Sequence, residues 1–147
     1  LTSDFCIALH ALVYLDHKGM ALSSAALADN ICANPARVRK VMAMLVDAGL
    51  ALAREGLDGG YCSAKPAARI RLDDIARALD VSFASMSWRS GDSQKDCLVS
   101  SGMAGAMDRI LARLNEACYK TLHAQTVADI EEELLNRRAK EKSRGRV

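Results

Sequence analysis

Between Leu50 and Ala64, two short extended runs, Leu50-Ala51-Leu52-Ala53-Arg54-Glu55 and Tyr61-Cys62-Ser63-Ala64, enclose Gly56-Leu57-Asp58-Gly59-Gly60. Glycines supply the positive φ angles that tight reversals need, so this segment predicts a β-hairpin. Nothing else in the chain reads as a sheet. Ala and Leu dominate and aromatic residues make up only 4%, a composition that favours helices. The expected fold is mainly α with one small hairpin, and the residues before the hairpin decide what kind.

Three helices precede it. From Asp4 to Leu15 apolar residues wrap most of a helical surface, which predicts a largely buried first helix capped by Thr2 or Ser3. His17-Lys18-Gly19-Met20 ends it, and Ser23 or Ser24 opens a short second helix through Ala25, Leu27, Ala28 and Ile31. Asn34-Pro35 marks a third start, because Asn caps well and Pro is tolerated in the first turn. This helix runs to about Ala48, with Val38, Val41, Met42, Leu45 and Val46 facing inward and Gly49 terminating it. Helix, short helix, helix with a basic N-terminal half, then hairpin is the order of parts in a winged helix-turn-helix.

After the hairpin, Leu72 to Leu79 predicts a brief helix. The polar stretch from Asp80 to Lys95 reads as a loop, with Trp88 an isolated large apolar group expected to pack on something. From Gly102 to Leu122, Met103, Met107, Ile110, Leu114, Ala117 and Thr121 alternate by four and three residues, the seam of a helix that pairs with a second copy of the chain. The expected organisation is a winged helix-turn-helix over residues 1–66, a short helix and connecting loop over 67–101, dimerisation helices over 102–140, and a disordered charged tail over 141–147.

In a helix-turn-helix the second helix of the motif lies in the major groove of double-stranded DNA, its N-terminal residues facing base edges. Arg37, Arg39 and Lys40 fall in the first two turns of that helix, where guanidinium groups can pair with guanine and free backbone amides favour a phosphate. Three cations on an arbitrary helix are usually just a solvated face. Here they follow an Asn-Pro boundary and precede a hairpin that carries Arg54, which points to DNA. Ser24 and Asn34, at the starts of their helices, and Arg54 and Tyr61, in the hairpin, complete the candidate DNA-binding set. Arg54 would reach the minor groove or a phosphate; Tyr61 serves equally well as a phosphate contact or a core residue.

Charge adds little, since 20 basic against 18 acidic residues leave a net +2, so the placement of the cations has to matter. No apolar run approaches the ~18 residues that span a bilayer, and no signal-peptide pattern opens the chain, so no membrane partner and a cytoplasmic location are expected. The five cysteines, Cys6, Cys32, Cys62, Cys97 and Cys118, form no CxxC pair, which disfavours a disulfide framework and a structural zinc site. Cys6 and Cys118 sit among apolar helix positions and read as core. His10, His17 and His123 form no metal-binding pair, and no catalytic triad order or phosphate loop is present, so neither a metal nor an enzyme is expected.

At Asn34-Pro35-Ala36-Arg37-Val38-Arg39-Lys40 and Gly56-Leu57-Asp58-Gly59-Gly60-Tyr61 the chain resembles the bacterial winged-helix regulators that include IscR, NsrR, CymR and the YwnA-like proteins. The opening helix, Leu72-Asp73-Asp74-Ile75-Ala76-Arg77-Ala78-Leu79, and Cys97 at the start of the long helix fit as well. The resemblance implies a homodimer, usually a repressor, whose two recognition helices read a palindromic operator. Cluster-binding members carry three closely spaced cysteines before the dimer helix. Only Cys97 stands in that window here, and one thiolate cannot hold a [2Fe–2S] cluster, which takes about four ligands; no cofactor is expected.

Cys97 follows Lys95 and Asp96 at what reads as a helix start, where the amides and a nearby cation favour the thiolate. It is the candidate redox sensor, weighed against a small residue of no chemical consequence. Two other classes compete with a repressor: a winged-helix dimer that binds a protein without specific DNA binding, and a thiol redox enzyme using Cys97.

Overall fold

The computed structural model describes residues 2–145. Arg146 and Val147, in the tail expected to be disordered, lie outside the described residues. The elements are α1 (Thr2–Lys18), α2 (Ser24–Ile31), α3 (Pro35–Asp47), β1 (Ala51–Arg54), β2 (Gly60–Ser63), a 3-10 turn over Ala67–Arg69, α4 (Leu72–Ala78), α5 (Leu98–His123) and α6 (Val127–Arg144).

The core is the meeting of α1, α2, α3 and α4. Leu12 of α1, Leu27 of α2, Val38, Val41, Met42 and Leu45 of α3, Ile70, and Ile75 of α4 are all fully enclosed. Each is a branched or long apolar side chain, all but Ile70 at helical spacing, and each enclosed group of this size stabilises the fold by roughly 1.5–3 kcal/mol of transfer free energy. Val46 is only half-buried. α1 begins at Thr2, so Ser3, expected as a cap, lies inside the helix. Ser23, not Ser24, caps α2, its hydroxyl accepting from the Ala26 amide at 3.1 Å.

The hairpin pairs β1 and β2 antiparallel, with Ala51 opposite Ser63 and Arg54 opposite Gly60. A third backbone segment joins its edge: Leu22, between α1 and α2, bridges Tyr61. The wing is therefore tied to the helical core. Gly60 makes this possible, since its φ is +136° and an added Cβ would fall 2.4 Å from the Leu22 carbonyl oxygen.

α5 is packed by its C-terminal half. Asn115 accepts from the amides of Phe83 and Ala84 at 2.8 and 3.0 Å, and Tyr119 donates to the Val81 carbonyl at 2.8 Å. Phe5, Phe83 and Tyr119 stack edge to face in a row between α1 and α5. At the turn into α6, the Val127 amide bonds Ile70, the Leu72 amide bonds Gln125, and Arg71 reaches the His123 carbonyl at 2.7 Å. Thr126 caps α6 with Asp129 in a reciprocal capping box.

Three expectations are corrected. Trp88 does not pack away: it is 75% exposed, over a shallow apolar groove with Met86, Met103, Met107 and Leu111, because the loop carrying it lies outside the core. Cys6 is exposed, and Cys118 half-buried, because α1 and α5 each turn that face away from the helices they pack on. Residues 141–144 continue α6 in place of a disordered tail, with Arg137 and Glu141 paired one turn apart at 3.1 Å. The long helix also starts at Leu98, four residues before Gly102.

Candidate nucleic-acid interface

α3 starts where the sequence puts it. The Asn34 side-chain oxygen accepts from the amides of Ala36 and Arg37 at 2.8 and 3.3 Å, and Pro35 occupies the first helical turn. The amides expected to be free for a phosphate are thus partly engaged by their own cap. Alternating burial then turns Val38 inward and leaves Arg37, Arg39 and Lys40 outside.

The three cations do not behave alike. Arg37 folds back on α1, its Nε donating to Asp4 Oδ1 at 2.7 Å, Nη2 lying 2.7 Å from the same oxygen in an ion pair and donating to Ser3 Oγ at 2.5 Å. Arg39 and Lys40 are exposed, and neither is in an ion pair among the described residues. Arg54 is exposed at the end of β1, beside the turn in which Leu57 projects fully into solvent. Tyr61 is half-buried and packs against the core, while Ser24 is half-buried in the first turn of α2.

Two participants went unread in the sequence. Asp4 looked like an ordinary acidic residue near a helix start, where the helix dipole accounts for it without a partner. Leu22 sits in a link between helices, and no local pattern marks a backbone edge for the wing.

The rest of the chain offers two further features. α5 buries no side chain although it is 26 residues long. Met103, Ile110 and Leu114 are exposed on the seam, and Leu98 and Val99 at its start. Cys97 is the N-cap residue of α5 and exposed; its sulfur makes no capping hydrogen bond, but the Ser100 and Val99 amides at the helix start favour the thiolate and hold the thiol below its ordinary pKa. Among the described residues no three His, Cys, Asp or Glu side chains gather where a metal could be held, and no helix is long and apolar enough to cross a membrane.

A recognition helix projecting from a three-helix core, with a hairpin wing beside it and a long helix leading away, defines a winged helix-turn-helix regulator. The chain belongs to the Rrf2 family, described as an iron-dependent transcriptional regulator, whose profile matches residues 1–133. It is thus placed among non-catalytic DNA-binding regulators. The donor set does not fit the iron of that description: among the described residues Cys97 belongs to no group of three or more His, Cys, Asp or Glu side chains that could hold a metal.

Solved structures share the fold. A protein from Lactobacillus plantarum is 21% identical with a TM-score of 0.79, covering 97% of this chain and 99% of its own. IscR of T. potens is 18% identical (TM-score 0.67; 91% and 87% covered), and CymR, the global cysteine regulator of B. subtilis, 19% identical (0.65; 90% and 96%). No curated protein sequence matches it significantly.

Proposed function

We propose that this chain is a homodimeric, sequence-specific regulator that represses transcription from a palindromic operator in the cytoplasm. The observation that carries the reading is the pair of exposed cations Arg39 and Lys40 on α3, in no ion pair among the described residues, together with the exposed Arg54 at the end of β1 in the wing. Asn34 caps α3, Ser24 lies in the first turn of α2 behind its Ser23 cap, and Tyr61 supports the wing. The exposed seam of α5, from Met103 to Thr121, is the surface through which two copies would pair. Pairing there would set the two recognition helices about one DNA turn, some 34 Å, apart.

Cys97 is the proposed signal input. A peroxide would oxidise its thiolate by two electrons: an S–O bond forms, the O–O bond breaks, and hydroxide leaves as the sulfenic acid is made. A change at the N-terminus of α5 could then alter the angle between paired α5 helices.

The test is a gel shift on DNA from upstream of the protein's own gene, at two salt concentrations, with reduced and with mildly oxidised protein. Tight, salt-sensitive binding that oxidation abolishes, and that Cys97→Ser makes resistant to oxidant, supports the whole reading. Binding indifferent to oxidant keeps the regulator and removes the sensor. No binding in either state replaces the reading with a protein-binding dimer.

A further inference from the structure

We propose that Arg37 is a positioning residue, held on α1 by Asp4 and Ser3 even when the protein is on DNA, so that the cationic contacts of α3 fall to Arg39 and Lys40. This rests on the DNA-binding reading and assigns the work within it.

Three features of the Arg37 environment lead there. First, one edge of the guanidinium is engaged: Nε and Nη2 converge on Asp4 Oδ1 at 2.7 Å, Nη2 also meets Ser3 Oγ, and the backbone amide points to the Asn34 cap. Second, the Asp4 side chain is only 12% exposed, against 43% for Arg37. Drawing the guanidinium out to a phosphate would leave a largely buried carboxylate uncompensated, and that is the costly half of breaking such a pair. A phosphate contact at a solvated surface returns less than this. Third, Val38 is fully enclosed in the core next to Arg37, so the first turn of α3 cannot slide outward to bring Arg37 to DNA while the pair stays closed.

The pair joins residues 33 apart in sequence, and it fixes the end of α3 that enters the groove relative to α1. Arg37 is also neutralised: its charge is balanced by Asp4, so it releases no counterion when DNA binds. Arg39 and Lys40 have no such partner among the described residues.

The experiment measures binding of the full-length chain to a randomised 40-base-pair duplex pool across a range of potassium chloride concentrations, and sequences the bound fraction. The slope of log affinity on log salt falls by about 0.9 for each phosphate that a cation no longer neutralises. Arg39→Gln is expected to flatten the slope by about that amount per phosphate. Arg37→Gln is expected to lower affinity at every salt concentration with the slope unchanged, and to broaden the selected sequences at all positions together. Asp4→Asn frees Arg37 and should steepen the slope, and the double variant Asp4→Asn/Arg37→Gln should return it to the value for Arg37→Gln alone. A purely structural role would not produce that reversal.

The proposal is overturned if Arg37→Gln flattens the slope as Arg39→Gln does, or if it erases preference at a single base pair while the rest of the site survives. Should Asp4→Asn fail to fold by circular dichroism, the comparison of Arg37→Gln with Arg39→Gln decides alone. A wild-type chain that binds the pool without salt dependence removes the DNA-binding reading itself, and this one with it.

Discussion

Leu22 and Tyr61 bond to each other in both directions, the Leu22 amide to the Tyr61 carbonyl at 2.9 Å and the Tyr61 amide to the Leu22 carbonyl at 2.8 Å. This exchange pins the linker between α1 and α2 to the edge of the two-stranded wing through a single-residue bridge. It depends on Gly60, whose missing side chain lets the two backbones approach and whose φ of +136° suits no other residue. Gly60→Ala should therefore cost about 1–3 kcal/mol from the backbone conformation alone, with the clash against Leu22 added. Thermal melting is expected to show a drop of several degrees, and DNA affinity should fall further than stability does. A variant that melts like the wild type would show that the wing is not anchored there.

Asn34 makes a smaller but cleaner case. Its side-chain oxygen holds two amides at the start of α3, and Asn34→Ala should destabilise the chain by about 1 kcal/mol. Denaturant unfolding should show this as a lower midpoint with an unchanged slope. Asn34→Ser should recover most of the loss.

The seam of α5 is exposed in the single chain, with Leu114 half accessible. Leu114→Glu is expected to leave helical content intact, since Leu114 lies outside the core, and, on the proposed pairing through α5, to give a monomer in sedimentation equilibrium where the wild type is a dimer. A variant that still sediments as a dimer would move the interface elsewhere.

Cys97 should be the fastest thiol to alkylate near neutral pH. The Ser100 and Val99 amides favour its thiolate, drawing its pKa below the ordinary 9.0, so it should be labelled ahead of Cys32 and Cys6, which are also exposed. Mass spectrometry after a short iodoacetamide pulse gives the order. Equal labelling of the three would dispose of Cys97 as a special thiol.

Where α6 crosses α1, Asp16 and Glu131 bring two carboxyl groups together, and His17 meets Glu131 at 2.9 Å. Burial first, and then Glu131, raise the Asp16 pKa above its ordinary 3.8. A raised carboxyl disfavours the folded state once it ionises: the penalty is absent below the unfolded value, grows through the folded one, and is complete above it. Asp16→Asn should thus raise the melting temperature at pH 7.5 and lose that advantage as the pH falls toward 3.8. The same gain at both pH values would contradict the shift.

Features that belong to one element could be read from the sequence. The Asn34-Pro35 start, the inward face of α3, the glycine turn and the apolar seam of α5 are local patterns, each enforced by backbone geometry or helical period, and together they specify the winged helix-turn-helix. Features that join elements could not. Arg37 reads as a free cation because nothing near it in sequence mentions Asp4. Trp88 reads as a buried group because large aromatics usually are, and its exposure follows only from where its loop leaves the core. Cys6 shows the limit of periodicity on a helix that is apolar nearly all round, since no sparse polar stripe marks which side faces water.

The junction of α5 and α6 is bonded to the segment before α4 at Ile70, Arg71 and Leu72, and Asn115 and Tyr119 fasten α5 to the loop that follows α4. Mechanically, this leaves α5 a lever clamped to the helical core at its C-terminal half, while its N-terminal half is held, among the described residues, by the preceding loop alone, through the Arg89–Asp108 pair and the Asp92 amide on Ser100. With 26 residues at about 1.5 Å each, a tilt of only a few degrees at the far end has no hinge in which to dissipate before it reaches the wing. A movement of that tip is carried along one unbroken helix to the bonds around Ile70, Arg71 and Leu72.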